Sequence, residues 1–250
     1  MLSRKPWSGD AVFRLFLGVF STYCVGNVLV SLLYHFKSGI SEDVKQMVGL
    51  IVSLIFLQVA SIVWIAFFLR EHRLSWKDSF GIGRSNSWFA LGVGLMAGML
   101  VIPIAQELIM GSEWVMVHVK VQPVSQVVVQ ELQKPEVPTV ERVFIALLAV
   151  IGAPIVEESL FRGLMYPTVK QAGFPRLAFW GTSIVFAAFH MSVVTFLPLM
   201  FFSMVLILLY ESTDNLLAPM AAHSMFNLAN FILLLFQEQA SRLPAGPPIH

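Results

Sequence analysis

Charged residues are scarce in this sequence. They make up 12% of its 250 residues, whereas hydrophobic types make up 57% and the mean hydropathy is +0.76. Soluble domains carry about 25% charged and about 45–50% apolar residues. The deficit argues against a water-soluble globule and against a disordered chain. The net charge of only +1 also provides no basic surface for a phosphate backbone, so we expect no nucleic-acid partner.

Cysteine and the common catalytic signatures are equally sparse. The single cysteine, Cys24, excludes an internal disulfide and any Cys-based zinc cage, and we expect it to be a small apolar helix residue. No histidine is followed by glutamate, which excludes the H-E-x-x-H metalloprotease motif. The serine and aspartyl intramembrane protease motifs, the P-loop and the Rossmann glycine pattern are absent as well.

Long uncharged runs are what the sequence has instead. Leu15 to Tyr34, Met47 to Leu69 and Ser85 to Gln106 contain 20, 23 and 22 residues without charge. Each meets the ~20 residues that an α-helix needs to cross a bilayer. The first run follows Arg4 and Lys5 but is too long for a signal peptide, so we expect a retained span.

Three further runs lie in the second half of the chain. They are Val143 to Val156, Leu177 to Tyr210, and Asn215 to Gln237. The second of these is too long for one span, and Pro198 predicts a break between about His190 and Pro198. The prediction is an all-α polytopic membrane helix bundle with about seven transmembrane helices in a lipid bilayer.

The remaining segments suggest an organisation and an orientation. We expect N-terminal membrane helices and a long polar connection in residues 1–139, a membrane helix core in 140–238, and a tail in 239–250. The polar connection runs from Gly111 to Thr139, either as a solvated loop or with Val121, Val124, Val128 and Leu132 as the apolar stripe of a surface helix. A cytoplasmic N-terminus places eight Lys and Arg residues inside and five outside. A GxxxG pair, Gly94 and Gly98, predicts close helix packing.

Three ionisable residues interrupt the run that begins at Val143. Glu158 and Arg162 are four residues apart and share a helix face, so we expect an ion pair. Glu157 is rotated by about 100° from that face and has no local partner. A carboxylate in such a place is suited to act as a general base or acid. The alternative is a position near the membrane surface, where all three side chains reach water.

Two histidines and an asparagine lie in later apolar helices. His190 is either a hydrogen-bonded structural residue or a site residue, and His223 and Asn227 share one face as an i,i+4 pair. That pair can bind a metal, donate to an oxyanion, or cross-link helices. Together with Glu157, these side chains could activate water and stabilise developing negative charge.

These residues resemble the motifs of the CAAX-protease and bacteriocin-processing family, the type II CAAX prenyl endopeptidase or Abi family. E-E-x-x-x-R is found as Glu157 to Arg162, F-x-x-x-H as Phe186 to His190, and H-x-x-x-N as His223 to Asn227, with Pro219 before the last motif. The resemblance covers roughly residues 140–235. Each motif alone is weak, but three in order on predicted membrane helices are specific.

The resemblance implies an intramembrane endopeptidase acting on a peptide or lipidated protein substrate. Glu157 and His190 would activate a water, while His223 and Asn227 would bind the oxyanion; Glu158, Arg162 and Phe186 would support the site. Metal-dependent and metal-free mechanisms both stay open, with a divalent metal such as zinc on Glu157, His190 and His223 in the first case. We expect an integral multi-pass protein of the bacterial inner membrane and make no prediction of its oligomeric state.

Two other kinds of function fit the same composition. A transporter or channel could carry protons or ions along buried Glu and His side chains, although the polar interruptions are confined to the second half of the chain. A non-proteolytic scaffold or immunity protein could share the fold.

Overall fold

A computed structural model describes residues 2–36, 41–124, 126–134 and 137–242, and all the regular structure in these ranges is helical. The bounds are α1 (Gly9–Phe36), α2 (Glu42–Glu71), α3 (Trp76–Phe80), α4 (Ser87–His118), α5 (Val127–Gln133), α6 (Thr139–Gln171), α7 (Pro175–Phe189), α8 (Val193–Thr213) and α9 (Leu217–Arg242). The predicted all-α membrane bundle is confirmed. Most of the predicted tail, residues 243–250, lies outside the described residues.

Six helices in the described part of the chain are long and apolar enough to cross a membrane: α1, α2, α4, α6, α8 and α9. The seventh predicted helix, α7, has 15 residues and is only about 22 Å long at 1.5 Å per residue, less than the ~30 Å hydrocarbon core. The predicted break is present, because α7 ends at Phe189 and α8 begins at Val193. Pro198 lies inside α8 and not at the break.

The glycine pair of α4 brings that helix close to α9. A Cβ atom at Gly94 would lie 2.2 Å from the carbonyl oxygen of Ala218, and one at Gly98 would lie 2.5 Å from that of Ala222. Any side chain at either glycine would push the two helices apart. The prediction from the GxxxG spacing is therefore confirmed.

The predicted polar connection is shorter than expected. α4 continues to His118, because Pro123 is the first proline that follows Pro103 and nothing between them halts the helix. Only Val128 and Leu132 of the predicted stripe lie in a helix, α5, where they pack against α2 and α6. Val121 and Val124 precede that helix and are exposed. One continuous surface helix through all four residues was therefore the wrong prediction.

The chain before α1 is bonded to the ends of other helices. Lys5 Nζ donates to the carbonyl oxygen of Ser79 at 2.6 Å, and the Ser3 hydroxyl donates to Asp214 at 3.0 Å. Arg84 forms an ion pair with Asp214 at 2.7 Å. Burial lowers the pKa of Lys5 to about 8, although the charge of Asp214 opposes this shift. Burial would raise the pKa of Asp214, but hydrogen bonds from Ser3 and Arg84 hold it below its ordinary value.

Candidate active site

The helix that carries the two glutamates, α6, contains two π-helical stretches, Leu148–Gly152 and Ser159–Met165. Pro154 explains the first stretch, which we call the π-turn, because proline has no N–H and its ring clashes with the carbonyl four residues back. The Ala153 N–H bonds the Leu148 carbonyl instead, five residues back. A π-turn adds about one residue, so the side chains that follow are rotated by about 100°.

The glutamates lie far from either end of α6. Glu157 is about 27 Å from the first residue of the helix and about 21 Å from the last, at 1.5 Å per residue. Glu158 and Arg162 have no exposed side-chain surface. The alternative that all three charged side chains reach water at the membrane surface is therefore wrong.

The predicted ion pair is present and has an additional partner. Arg162 Nη1 donates to Glu158 Oε1 at 3.0 Å. Arg162 Nη2 donates to the carbonyl oxygen of Ser203 at 3.2 Å and to its hydroxyl at 2.7 Å. Ser203, in α8, is fully buried. The guanidinium is thus bonded on two sides, as a buried charge requires.

The carboxylate of Glu158 also bonds to His223, a contact that was not predicted from the sequence. His223 Nδ1 lies 2.8 Å from Glu158 Oε1, and His190 Nδ1 lies 2.9 Å from the Phe186 carbonyl oxygen. A carboxylate and a carbonyl accept only, so Nδ1 is the donor in both rings. The Nε2 atoms of both rings are left for the site.

Glu157, His190 and His223 converge as predicted. Glu157 Oε2 lies 3.9 Å from His190 Nε2 and 3.9 Å from His223 Nε2. The side chains of Glu157 and His190 are 25% and 20% exposed, while that of His223 is 3% exposed. A separation of 3.9 Å is too long for a direct hydrogen bond and suits a bridging water. The three groups therefore form one polar site that is open on the side of Glu157 and His190.

Asn227 is placed one turn beyond His223 on α9 and bonds to α6. Its Nδ2 donates to the Ala149 carbonyl oxygen at 2.8 Å. In the π-turn, the backbone donor to this carbonyl would come from the residue five positions later, Pro154. Proline has no N–H, so the Ala149 carbonyl has no backbone donor. One N–H of the Asn227 amide thus occupies this acceptor and the second remains. Asn227 therefore cross-links α9 to α6 through its first N–H, which was one of the predicted alternatives.

Phe186 lies among the charged side chains as a fully buried aromatic platform. The Arg162 guanidinium is 4.2 Å from its ring centroid, in a cation–π contact. The rings of His190 and His223 lie 5.0 Å and 5.7 Å from the same ring. The Phe186 ring, which was predicted to support the site, thus contacts both histidines.

The segment that carries this site also matches a known protein family. Residues 139–229 match the family model described as Type II CAAX prenyl endopeptidase Rce1-like. This segment is Rce1-like. All three predicted motifs lie within it, so the resemblance found from those motifs is confirmed. No curated protein and no solved structure is significantly similar to the chain.

Three residues at this site were not predicted from the sequence. Ser203 lies inside the Rce1-like segment, whereas Gln58 of α2 lies before it and donates to the Leu148 carbonyl oxygen at 3.2 Å. Pro154, three residues before Glu157, signals the π-turn. Each was visible as a polar residue in an apolar run or as a proline inside a predicted helix.

The donor types suit zinc, but their spacing does not. Zinc bonds of about 2.0–2.2 Å in a tetrahedral site would place neighbouring ligand atoms roughly 3.4 Å apart. Both separations from Glu157 Oε2 are 3.9 Å. Within the described residues, no three His, Cys, Asp or Glu side chains are arranged to hold a metal ion. We therefore derive no chemical step through a metal.

Proposed function

We propose that the protein is an intramembrane endopeptidase that uses Glu157 to activate a water. The observation that carries this proposal is the 3.9 Å spacing from Glu157 Oε2 to two imidazole nitrogens, within a segment that matches an endopeptidase family. The division into N-terminal helices, residues 1–139, and a catalytic core, residues 140–238, is part of the same proposal.

In the proposed reaction, Glu157 takes a proton from the water, which is also bonded to His190. The hydroxide attacks the carbonyl carbon of the substrate peptide. The oxyanion is bound by His223 Nε2–H and by the second amide N–H of Asn227. When His223 carries this proton, the Glu158 carboxylate balances its charge. Glu157 then passes its proton to the amine as the C–N bond breaks.

The substrate class follows from the site's position and from the family. The glutamates lie deep in a spanning helix, so the scissile bond must reach into the membrane. We propose a membrane-associated peptide, either lipidated near its C-terminus or bacteriocin-like. A bacterial inner membrane and a cytoplasmic N-terminus complete the proposal.

The test is cleavage of a quenched membrane peptide by purified protein. Glu157→Gln keeps the size and removes the base, so the rate per folded molecule should fall by roughly 10²–10⁴-fold. Glu107→Gln makes the same change on an exposed site of α4 and should keep the rate. Treatment with a chelator should also leave cleavage unchanged. Near-normal cleavage by well-folded Glu157→Gln protein would refute the catalytic assignment, and ion flux into liposomes without cleavage would favour a transporter.

The orientation has its own test. Eight Lys and Arg residues on one side against five on the other predict that the Arg70 to Arg84 loop is cytoplasmic. In a Cys24→Ser background, a cysteine at exposed Ser75 should resist labelling from outside intact cells, while one at exposed Val121 should label. The reverse pattern would overturn the orientation.

A further inference from the structure

Gln58 lies outside the Rce1-like segment, yet it is in contact with the π-turn that precedes Glu157. Its side chain donates to the Leu148 carbonyl oxygen at 3.2 Å, and the residue is 8% exposed. A Cβ atom at Gly152 would lie 2.0 Å from Gln58 Oε1, and its three nearest atoms all belong to Gln58. With φ at −65°, Gly152 has ordinary helical geometry. It is the close approach of Gln58 that requires a glycine here.

The hydrogen bond from Gln58 helps to hold the π-turn in place, but it is not needed to give the Leu148 carbonyl oxygen a donor. Leu148 O already accepts the Ala153 N–H, so the amide of Gln58 is a second donor to the same oxygen. On the other side of the turn, Asn227 donates to Ala149 O at 2.8 Å. Side chains from α2 and α9 thus hold two consecutive carbonyls of the one irregular turn before Glu157.

We propose that Gln58 is a positioning residue for the active site. By holding the π-turn, it fixes the rotation of Glu157 about the α6 axis and the direction of the second N–H of Asn227. Isolated π-turns are rare and are often found at functional sites, and a displacement of about 1 Å can cost about 10²-fold in rate. This inference rests on the proposed peptidase function, and it gives α2 a part in the site beyond crossing the membrane.

The chain offers a matched control for a purely structural role. Gln106 of α4 is another intramembrane glutamine that donates one interhelical hydrogen bond, to Asn230 Oδ1 at 3.0 Å. A glutamine that only joins helices should affect stability and not turnover. Gln58→Leu and Gln106→Leu should therefore lower the melting temperature similarly but differ in kcat.

The experiment measures kcat, KM and hydrogen exchange of residues 148–157 for both variants. Gln58→Leu should lower kcat by about 10²-fold with little change in KM and should speed exchange in this segment, while Gln106→Leu should do neither. Equal behaviour of the two variants, or a kcat loss without faster exchange, would overturn the inference. If wild-type protein cleaves no peptide, the peptidase proposal fails by itself, and the exchange difference still decides whether Gln58 holds the turn.

A double-mutant cycle provides a second measurement. Gly152→Ala should displace Gln58 and lower kcat, but in a Gln58→Ala background the same change meets no side chain and should add almost nothing. The two losses should therefore be strongly non-additive. Losses in kcat that simply multiply would contradict a shared effect through this contact.

Discussion

At the scale of single residues, the two adjacent glutamates have opposite surroundings. Glu157 is partly exposed and faces two imidazole nitrogens, whereas Glu158 is fully buried and bonded to Arg162 and His223. Helical spacing predicts which glutamate pairs with Arg162, because i and i+4 share a face and i and i+1 do not. It does not predict the bond from Glu158 to His223, since that residue lies 65 positions away in sequence.

Glu158→Gln should damage stability as well as activity. It removes the charge that balances Arg162, and breaking one side of a buried pair costs about 3–5 kcal/mol. It also weakens the hold on His223, so cleavage per folded molecule should fall too. Replacing both Glu158 and Arg162 by leucine should restore the melting temperature better than the activity.

The matched control for this change is Glu211→Gln. Glu211 forms an ion pair with Lys170 and is partly exposed, so losing its charge should cost about 1 kcal/mol or less. Melting curves and cleavage rates for all three variants separate these effects. A Glu158→Gln protein as stable as Glu211→Gln would show that the pair with Arg162 contributes little.

At the scale of elements, the π-turn decides which side chain faces the site. Pro154 prevents a regular α-helix at this point, and the turn it produces rotates the chain that follows by about one residue. In an uninterrupted helix, Glu157 would point roughly where Glu158 points now. The carbonyl that proline leaves without a backbone donor is occupied by Asn227. One residue therefore controls both the carboxylate and the amide of the site.

Pro154→Ala should lower the activity per folded molecule. The new N–H can bond the Val150 carbonyl, so α6 can become regular and turn Glu157 away from the two histidines. We expect the kcat per folded molecule to be reduced by about 10²-fold. Pro103→Ala removes the proline inside α4 and should keep kcat. A Pro154→Ala enzyme with normal kcat would show that the π-turn does not set the direction of Glu157.

At the scale of the whole molecule, the features that can be predicted from the sequence are those that depend on many residues at once. Hydropathy summed over 20 or more residues finds the spans, and the motifs find Glu157, His190 and His223. Features that rest on one or two residues were missed. They include the π-turn, the contact of Gln58 with α6, and the extension of α4 to His118. The extension was missed because a helix can continue from an uncharged stretch into a charged one when no proline ends it.

The segment before α1 gives the whole bundle a predictable pH dependence. The pKa of Lys5 is about 8 in the folded protein, against 10.5 for a free lysine side chain. Between these two pH values the unfolded chain binds more protons at Lys5 than the folded chain, so the free energy of unfolding should rise with pH. The slope should reach at most about 1.4 kcal/mol per pH unit. Below about pH 8 Lys5 is protonated in both the folded and the unfolded chain, so the cost of burying its charge no longer changes with pH.

Lys5→Met should remove that slope, because methionine has no proton to exchange. The measurement is unfolding of the detergent-purified protein across the window from pH 8 to 10.5 that the two pKa values define. Lys77→Met, a change at an exposed lysine of α3, should keep the wild-type slope. The absolute stability of Lys5→Met also reflects its lost bond to Ser79, so only the slope decides. If the Lys5→Met slope matched that of wild type, burial of this ammonium group would not limit stability in that range.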